Sequence, residues 1–406
     1  MNKESILFLT KDAFCKAYLP CYGNRYYAGK TPNLDELVDK GTLYTNFFTA
    51  APSSAMSYLS MFTRKYPYQQ EMQIYTQLPE DFKGRTLFDD AYEMGFSCHV
   101  LWDAGWIHLA YDYTRCYGKN TTLHNMEDFR QPVGSHYKHE GVLVRNQEKE
   151  EEGVKRLRNE LNTIFENNNK VFLWCHLPHV LKGRTSYGDD IDLFDRYLGV
   201  FREFFSDDNI FISADHGNMN GLKGKVCYGF DVYDTSISIP FISPRINELK
   251  ICDTHICNIN VFELLFKRKV VESSIIFSDS QYYAQPKRKL AVIFEKYRYI
   301  YNKADNSEEL YDIEYDPNQN FNLISDDIYD VDRKLVSPAR EYYFYPEWDK
   351  LPEIRTKLRA EKDKIWRDIS KRQKVLMNVT GQLKKNKLIH GVLKALKNRY
   401  IASKTK

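Results

Sequence analysis

The sequence lacks the long apolar runs of a membrane protein and the paired cysteines of a disulfide or zinc framework. No apolar run approaches the roughly 18 residues of a membrane span, and the start MNKESILFLTKDAF has charges close around a short apolar core. This start is typical of a strand and not of a secretory signal. The eight cysteines include no Cys-x-x-Cys pair, and several lie in apolar stretches such as VFLWCHLP. We therefore expect reduced, buried thiols in a cytoplasmic protein.

The sequence also has no large excess of one charge, no internal repeat and no long Gly/Ser linker. Its 58 basic and 55 acidic residues give a net charge of +3, which indicates no nucleic-acid partner. With 406 residues, 43% of them hydrophobic, the chain can form one large domain with an appendage or two modest domains.

Short β-rich runs alternate with helical patterns, which predicts an α/β sandwich with a mostly parallel central sheet. The predicted strands are Ile6–Thr10, Ser97–Leu101, Val171–Cys175, Asn209–Ser213 and Ile239–Ser243, and the predicted helices are 33–40, 54–63, 85–94, 152–167 and 190–206. After about residue 285, KLAVIFEKYRYIYN predicts an antiparallel hairpin. We therefore predict a catalytic domain over 1–285, a small antiparallel C-terminal subdomain over 286–345 and a basic helical extension over 346–406.

The C-terminal tail has no acidic residue after Asp368. Its apolar residues recur at helical spacing on one face with lysines and arginines around them, and they are Leu388, Val392, Leu396 and Tyr400. One interpretation is a solvated helix that packs on the body. The other is a peripheral contact with a partner or with an anionic membrane surface at the inner membrane face.

Three predicted strands end in side chains that can bind a metal ion. Asp12 follows the first strand, His176 and His179 follow the third, and Asp215-His216-Gly217 follows the fourth. Because the carboxyl ends of parallel strands meet at one edge of a sheet, these groups are expected to converge. A mixed carboxylate and imidazole set favours Zn²⁺ or Mn²⁺, while Ca²⁺ and Mg²⁺ remain alternatives. Each fragment alone is equally compatible with a turn residue or a helix cap.

Ser54 follows Pro52 and opens the predicted helix 54–63. A hydroxyl at this position lies among unpaired backbone N–H groups, which also attract a phosphate or sulfate. Serine is equally a favoured helix cap, so the position alone leaves open whether Ser54 is a nucleophile. Ser53 is interpreted as a turn or cap residue.

Taken in order, these segments resemble the sulfatase branch of the alkaline phosphatase superfamily. The similar segments are the opening ILFLTKDAF through TPNLDELVDKGTLYTNFFTAAPSSAMSYLSMFTRKYPY, then NIFISADHG, VYDTSISIPFI and EKYRYIYNKADNSEELYDIEYDPNQNFNL. The resemblance implies an alkaline-phosphatase-like fold and a metal-dependent enzyme. Such an enzyme cleaves or transfers a sulfate or phosphate ester through a covalent intermediate.

The departures from the family pattern narrow this expectation. Sulfatases have a C/S-x-P/A-x-R signature whose first residue becomes formylglycine, and here the aligned segment is Ser54-Ala55-Met56-Ser57-Tyr58. A serine that is not converted to formylglycine favours a phosphate ester over a sulfate ester as the substrate, because water or an alcohol can cleave the resulting phosphoserine. One acid after strand one, in Lys11-Asp12, resembles the phosphoethanolamine and phosphoglycerol transferases. That resemblance implies one divalent metal held by Asp12, Ser54, Asp215 and His216.

The same resemblance suggests further site residues. His176 and His179 match a His-x-P-His region and are candidate acid/base groups, and His108 is the nearest match to a sulfatase histidine. The candidate substrate-binding residues are Lys11, Asn218 and Lys225.

The sequence therefore predicts a phosphotransferase with a covalent Ser54 intermediate. Its donor is expected to be a phosphate ester of phosphoglycerol or phosphoethanolamine type, and its acceptor a glycan or a small molecule used in cell-surface polysaccharide synthesis. The alternatives are a sulfatase or phosphodiesterase that hydrolyses a small ester, and a non-catalytic sulfatase-like binding module.

Overall fold

The computed structural model describes residues 4–70, 84–102, 120–125, 136–139, 142–145, 147–177, 187–225, 228–280, 287–325, 327–329, 335–338 and 345–368. The α-helices are α1 (Pro32–Lys40), α2 (Ser54–Thr63), α3 (Leu87–Glu93), α4 (Gln147–Glu166), α5 (Tyr187–Phe204), α6 (Asp234–Ile237), α7 (Val261–Lys267) and α8 (Leu351–Asp368). The strands are β1 (Ile6–Lys11), β2 (Thr42–Tyr44), β3 (Phe47–Phe48), β4 (Ser97–Trp102), β5 (Thr121–Asn125), β6 (His136–His139), β7 (Val142–Arg145), β8 (Val171–Leu177), β9 (Ile210–Ala214), β10 (Phe241–Ser243), β11 (Ile251–Cys252), β12 (Ile256–Cys257), β13 (Ile276–Asp279), β14 (Lys289–Phe294), β15 (Tyr297–Asn302), β16 (Glu308–Asp312), β17 (Asp327–Tyr329) and β18 (Leu335–Pro338).

The central sheet has eight strands in the order β11-β2-β10-β9-β1-β8-β4-β5. The five consecutive strands β9, β1, β8, β4 and β5 are parallel, and β10 is antiparallel to both of its neighbours. Every residue of β1, β8 and β9 is buried, so both faces of the sheet are covered, as the continuous apolar runs of these strands require. The predicted α/β fold with a mostly parallel sheet is confirmed.

Two predicted element boundaries were wrong for identifiable reasons. The last predicted strand begins at Phe241 instead of Ile239, because Pro240 has no N–H to donate to the ladder. Helix α4 begins at Gln147, five residues before the predicted start at 152. Its first turn is acidic, which suits a helix N-terminus but gives no apolar period to detect.

A second sheet, β13-β14-β15-β16, is antiparallel and includes the predicted hairpin as β14 and β15. It begins at Ile276, before the predicted boundary at 286, and Leu351 and Leu358 of α8 pack in the core that contains Tyr299 of this sheet. The predicted domain limits stay a prediction. The basic tail that contains Leu388–Tyr400 lies outside the described residues.

Two further sequence expectations concern cysteines and membrane spans. No disulfide joins the six cysteines in the described ranges, and five of these cysteines are buried. Among the described residues, no helix has the length and apolar character that a membrane span requires.

A chain of hydrogen bonds ties the edge strand β5 to β4 and α4. His124 Nδ1 lies 2.5 Å from Glu160 Oε1, His99 Nδ1 lies 2.9 Å from His124 Nε2, and Ser97 Oγ lies 2.9 Å from His99 Nε2. Since the carboxylate can only accept, His124 donates to it through Nδ1–H, and a neutral His124 ring then accepts from His99 at Nε2. Burial, and then the neighbouring His124, lowers the pKa of His99 to about 4.

The stability of the protein is expected to fall as the pH drops from about 6.5 to about 4. Over this range the unfolded chain binds a proton at residue 99 that the folded state excludes, so protonation favours unfolding. Urea unfolding midpoints measured between pH 7 and pH 4 test this expectation. The variant His99→Gln should lose less stability over the same range, and an equal loss in both proteins would contradict it.

Candidate active site

The carboxyl ends of β1, β8 and β9 bring the predicted ligands together. Lys11 at the end of β1 pairs in register with Leu177 of β8 and with Ala214 of β9. The backbone N–H of Asp12 then donates to the Leu177 carbonyl over 2.9 Å. Asp12 and Asp215 therefore follow adjacent strand ends, as the sequence predicts.

Asp215 is held by one carboxylate oxygen and leaves the other without a partner. Its Oδ1 accepts from the backbone N–H groups of Ala13 (3.1 Å) and His216 (2.8 Å). Ala13 has a φ of 51°, a left-handed conformation that is costly for a residue with a side chain and is typical of functional sites. Asp215 Oδ2 and Asp12 Oδ1 are buried and accept no hydrogen bond. Two buried oxygens without donors are unfavourable unless a cation lies between them.

His216 presents a nitrogen lone pair to these oxygens. Its Nδ1 lies 2.7 Å from the Gly217 carbonyl, which can only accept, so the ring proton is on Nδ1. Nε2 then lies 3.4 Å from Asp215 Oδ2 and 3.6 Å from Asp12 Oδ1. This is the tautomer that a metal-binding histidine needs. The ring of Tyr228 stacks on His216 with centroids 4.4 Å apart.

Gly217 explains the glycine of the Asp-His-Gly motif. A Cβ at this position would lie 2.0 Å from the carbonyl oxygen of Thr235, so only glycine allows this approach of the two backbone segments. Gly217 N–H also donates to the Ser236 carbonyl over 2.9 Å, which fixes the loop that carries His216.

Ser54 is the first residue of α2 and completes the set. Its Oγ lies 3.1 Å from His216 Nε2. Ser53 is the N-cap residue and makes no side-chain capping hydrogen bond. One atom each of Asp12, Asp215 and His216 lies within 4.8 Å of the others, a spacing that suits a metal ion. The four predicted ligands therefore fit a divalent metal in both geometry and donor chemistry.

A neutral pair occupies the position where the family pattern has arginine. Tyr58 lies one helical turn after Ser54, and its hydroxyl is 2.5 Å from His176 Nδ1. Both residues are buried, and burial lowers the pKa of His176 to about 3, so the imidazole is neutral at physiological pH. Residue 58 therefore does not supply the positive charge that an arginine at this position would carry. The catalytic role of His176 stays a prediction, and a neutral imidazole is a weak proton donor.

The three predicted substrate-binding residues each have a partner inside the protein. Lys11 Nζ lies 2.8 Å from Asp190 Oδ2, with both side chains 2% exposed. Asn218 Oδ1 accepts from the Asn220 N–H over 3.4 Å, and Lys225 Nζ lies 2.7 Å from Asp231 Oδ1. Their substrate-binding role stays a prediction. The candidate histidines His108 and His179 lie outside the described residues.

Sequence reasoning missed Ser57 and Tyr228, which contact predicted site residues, and Asn258, which contacts Ser57. Ser57 Oγ donates to the Asp215 carbonyl over 2.6 Å. The spacing of Ser57 three residues after Ser54 could have indicated it, since both lie on one helix face. Asn258 and Tyr228 have no local sequence signal.

The comparisons with known proteins concern the family and the fold. The family model described as Sulfatase matches residues 5–236. Among solved structures, a sulfatase-family protein of Bacteroides thetaiotaomicron has a TM-score of 0.65 at 17% identity, with 90% of this chain and 93% of that chain covered. A 2-O GAG sulfatase gives a TM-score of 0.64 at 15% identity, with coverage of 90% and 92%. The phosphonate monoester hydrolase of Agrobacterium radiobacter gives 0.57 at 14%, with coverage of 88% and 96%. No curated protein sequence matches the chain.

Proposed function

This chain belongs to the sulfatase family of enzymes that act on sulfate or phosphate esters, and we propose that it transfers a substituted phosphate through a covalent Ser54 intermediate. The observation that carries the proposal is the Ser54 hydroxyl, 3.1 Å from His216 Nε2. Beside it lie the two buried carboxylate oxygens of Asp12 and Asp215 that accept no hydrogen bond. These oxygens also argue against a non-catalytic binding module, because a site without a metal would gain stability by losing them.

The choice of phosphorus over sulfur depends on the surroundings of Ser54. The segment from Ser54 to Tyr58 lacks the signature that directs serine to formylglycine, so the nucleophile is a plain hydroxyl. The buried Tyr58 and His176 pair adds no positive charge beside it. A phosphoserine is resolved by attack on phosphorus, whereas a serine sulfate has no exit like that of an aldehyde hydrate.

The proposed reaction has two balanced steps. In the first step, Ser54 Oγ forms a bond to phosphorus and the bond from phosphorus to the leaving oxygen breaks. The serine hydroxyl loses one proton and the leaving oxygen gains one, so the step is neutral in protons. An acceptor hydroxyl then forms a bond to phosphorus, the bond to Oγ breaks, and a proton returns to Ser54. A divalent metal bound at the site, with Zn²⁺ or Mn²⁺ favoured, would offset negative charge on the phosphate and lower the pKa of the serine hydroxyl.

The protein groups act around these steps. The N-terminus of α2 directs its unpaired N–H groups toward the anionic phosphate. We assign the proton transfer at the leaving oxygen to His179, because His176 is neutral and already hydrogen-bonded to Tyr58. His108 is the alternative for this role.

The donor we propose is a phosphoglycerol or phosphoethanolamine ester, and the acceptor is a glycan hydroxyl of a cell-surface polysaccharide precursor. This assignment rests on the resemblance of the ligand set to the transferases of the same superfamily. We place the enzyme in the cytoplasm, with peripheral contact at the inner membrane face through the basic C-terminal tail. The second candidate is hydrolysis of a small sulfate or phosphate ester, which the structural similarity to sulfatases and to a phosphonate hydrolase favours.

Three measurements on the purified full chain test the proposal. Peptide mass analysis is expected to find Ser54 unmodified or phosphorylated, and metal analysis is expected to find one divalent ion that the variant His216→Ala loses. In a panel of an aryl sulfate, an aryl phosphate and a bis-aryl phosphate, we expect the bis-aryl phosphate to be turned over fastest. Formylglycine at residue 54, or a preference for the aryl sulfate, would contradict the proposal and indicate that the protein is a sulfatase.

A further inference from the structure

A buried polar cluster lies behind the N-terminal turn of α2. It consists of Thr49, Ser57 and Asn258, each with 0% of its surface exposed, and we call it the Asn258 cluster. Thr49 follows β3, Ser57 lies in α2, and Asn258 follows β12. Three polar side chains from three segments are thus buried together, and such groups are unfavourable unless their hydrogen bonds are satisfied.

The donor and the acceptor can be assigned in each side-chain hydrogen bond between Asn258 and Thr49, Ala50 and Ser57. Asn258 Oδ1 accepts from the Ala50 N–H over 3.0 Å, which fixes the orientation of the amide. Its Nδ2 group then donates one hydrogen to Thr49 Oγ1 (3.1 Å) and the other to Ser57 Oγ (3.0 Å). Because Ser57 accepts from Asn258, its own hydrogen is available for the Asp215 carbonyl, 2.6 Å away.

This arrangement connects the two halves of the candidate site. Ser57 lies less than one helical turn after Ser54, so a fixed Ser57 also fixes the start of α2. The acceptor of its hydrogen bond belongs to Asp215, whose carboxylate oxygen Oδ2 faces His216 at 3.4 Å. The loop before the helix is held as well, because Asn258 binds both Thr49 and the Ala50 N–H.

We propose that Asn258 is a positioning residue that sets the distance between the Ser54 nucleophile and the Asp215-His216 metal ligands. Asn258 does so by orienting Ser57, and it touches neither substrate nor metal. The inference rests on the proposed function, since it assigns a role toward that same site. It extends the catalytic unit to residue 258, beyond the 5–236 segment that the family model matches.

Two variants separate this role from simple stabilisation of the fold. In Asn258→Asp the carboxylate still accepts from Ala50 but cannot donate, so Ser57 Oγ loses the amide donor that directs its hydrogen bond to the Asp215 carbonyl and keeps only the contact with Thr49 Oγ1 at 2.8 Å. Ser57→Ala removes the same bond to Asp215 by deleting one oxygen. The matched control is Asn260→Asp, which lies two residues away and removes the donor that binds Ser273 Oγ at 3.1 Å.

The test is calorimetric titration of the metal-free full chain with Mn²⁺, together with kcat and KM for a bis-aryl phosphate and the melting temperature. For Asn258→Asp and Ser57→Ala we expect Mn²⁺ binding to weaken by about 10- to 100-fold and kcat to fall more than KM rises. Asn260→Asp is expected to bind Mn²⁺ as the wild type does, even if its melting temperature falls.

Different outcomes would contradict the positioning role of Asn258 and the proposed function. If both cluster variants fold and bind Mn²⁺ like Asn260→Asp, Asn258 has a structural role only and the inference is wrong. If Asn258→Asp does not fold, the Mn²⁺ affinity of Ser57→Ala, compared with that of Asn260→Asp, is the deciding measurement. If the wild-type chain binds neither Mn²⁺ nor Zn²⁺, the proposed function fails, and the inference fails with it.

Discussion

Replacing Ser54 with alanine is expected to lower kcat for a bis-aryl phosphate by about 10³-fold or more. The variant has no oxygen that can form the covalent bond to phosphorus, while the other three candidate ligands remain in place. Asp215 and His216 keep their positions because backbone groups, and not Ser54, orient them: Ala13 and His216 N–H hold Asp215, and the Gly217 carbonyl holds His216. We therefore expect the Ser54→Ala protein to fold normally and to retain a measurable affinity for Mn²⁺.

The neighbouring serine provides the matched control. Ser53 is also buried and belongs to the same turn, but it makes no side-chain capping hydrogen bond. Ser53→Ala should therefore keep its kcat close to that of the wild type. Steady-state kinetics and mass analysis after mixing with substrate measure both effects. Activity that survives Ser54→Ala, or a phosphate found on another residue, would contradict the covalent mechanism.

The central fold could be predicted because its strands are buried on both faces. Continuous apolar runs such as Ile6–Lys11 and Val171–Leu177 stand out from the amphipathic helices between them. The first turn of α4 could not be found in this way. Its acidic residues include Glu150, which is buried against Arg196 of α5, and this contact depends on the tertiary fold.

The candidate ligands could also be predicted, because parallel strands bring their carboxyl ends to one edge. Asp12 and Asp215 each follow a recognisable strand, so their proximity depends only on the strand order. The contacts of Tyr58 with His176 and of Ser57 with Asn258 could not be predicted. These contacts join residues that are 118 and 201 positions apart in the sequence. Local periodicity of the sequence gives no information about contacts between such distant residues. Nor could the sequence show that Lys11 lies against Asp190.

Replacing Lys11 with methionine is expected to lower the free energy of unfolding by about 3–5 kcal/mol, because it removes the cation that lies against the buried carboxylate of Asp190. Lys11 Nζ lies 2.8 Å from Asp190 Oδ2, and both side chains are 2% exposed, so water cannot replace the lost partner. Asp190→Leu should destabilise the protein by a similar amount. The double variant Lys11→Met with Asp190→Leu removes both charges and should lie within about 1–2 kcal/mol of the wild type. Urea unfolding of the four proteins gives the coupling energy directly.

An exposed ion pair on the same molecule is the control for the stability cost of breaking the buried pair. Arg158 Nη2 lies 2.6 Å from Glu203 Oε1, but the two side chains are 42% and 46% exposed. Because water and salt screen such a pair, Arg158→Met should cost only about 0–1 kcal/mol. If Lys11→Met costs no more than Arg158→Met, the buried pair does not stabilise the end of β1, and the substrate-binding role of Lys11 stays a prediction. A large cost with recovery in the double variant would instead assign Lys11 to the support of Asp12, the residue that follows it, and leave substrate recognition to other groups.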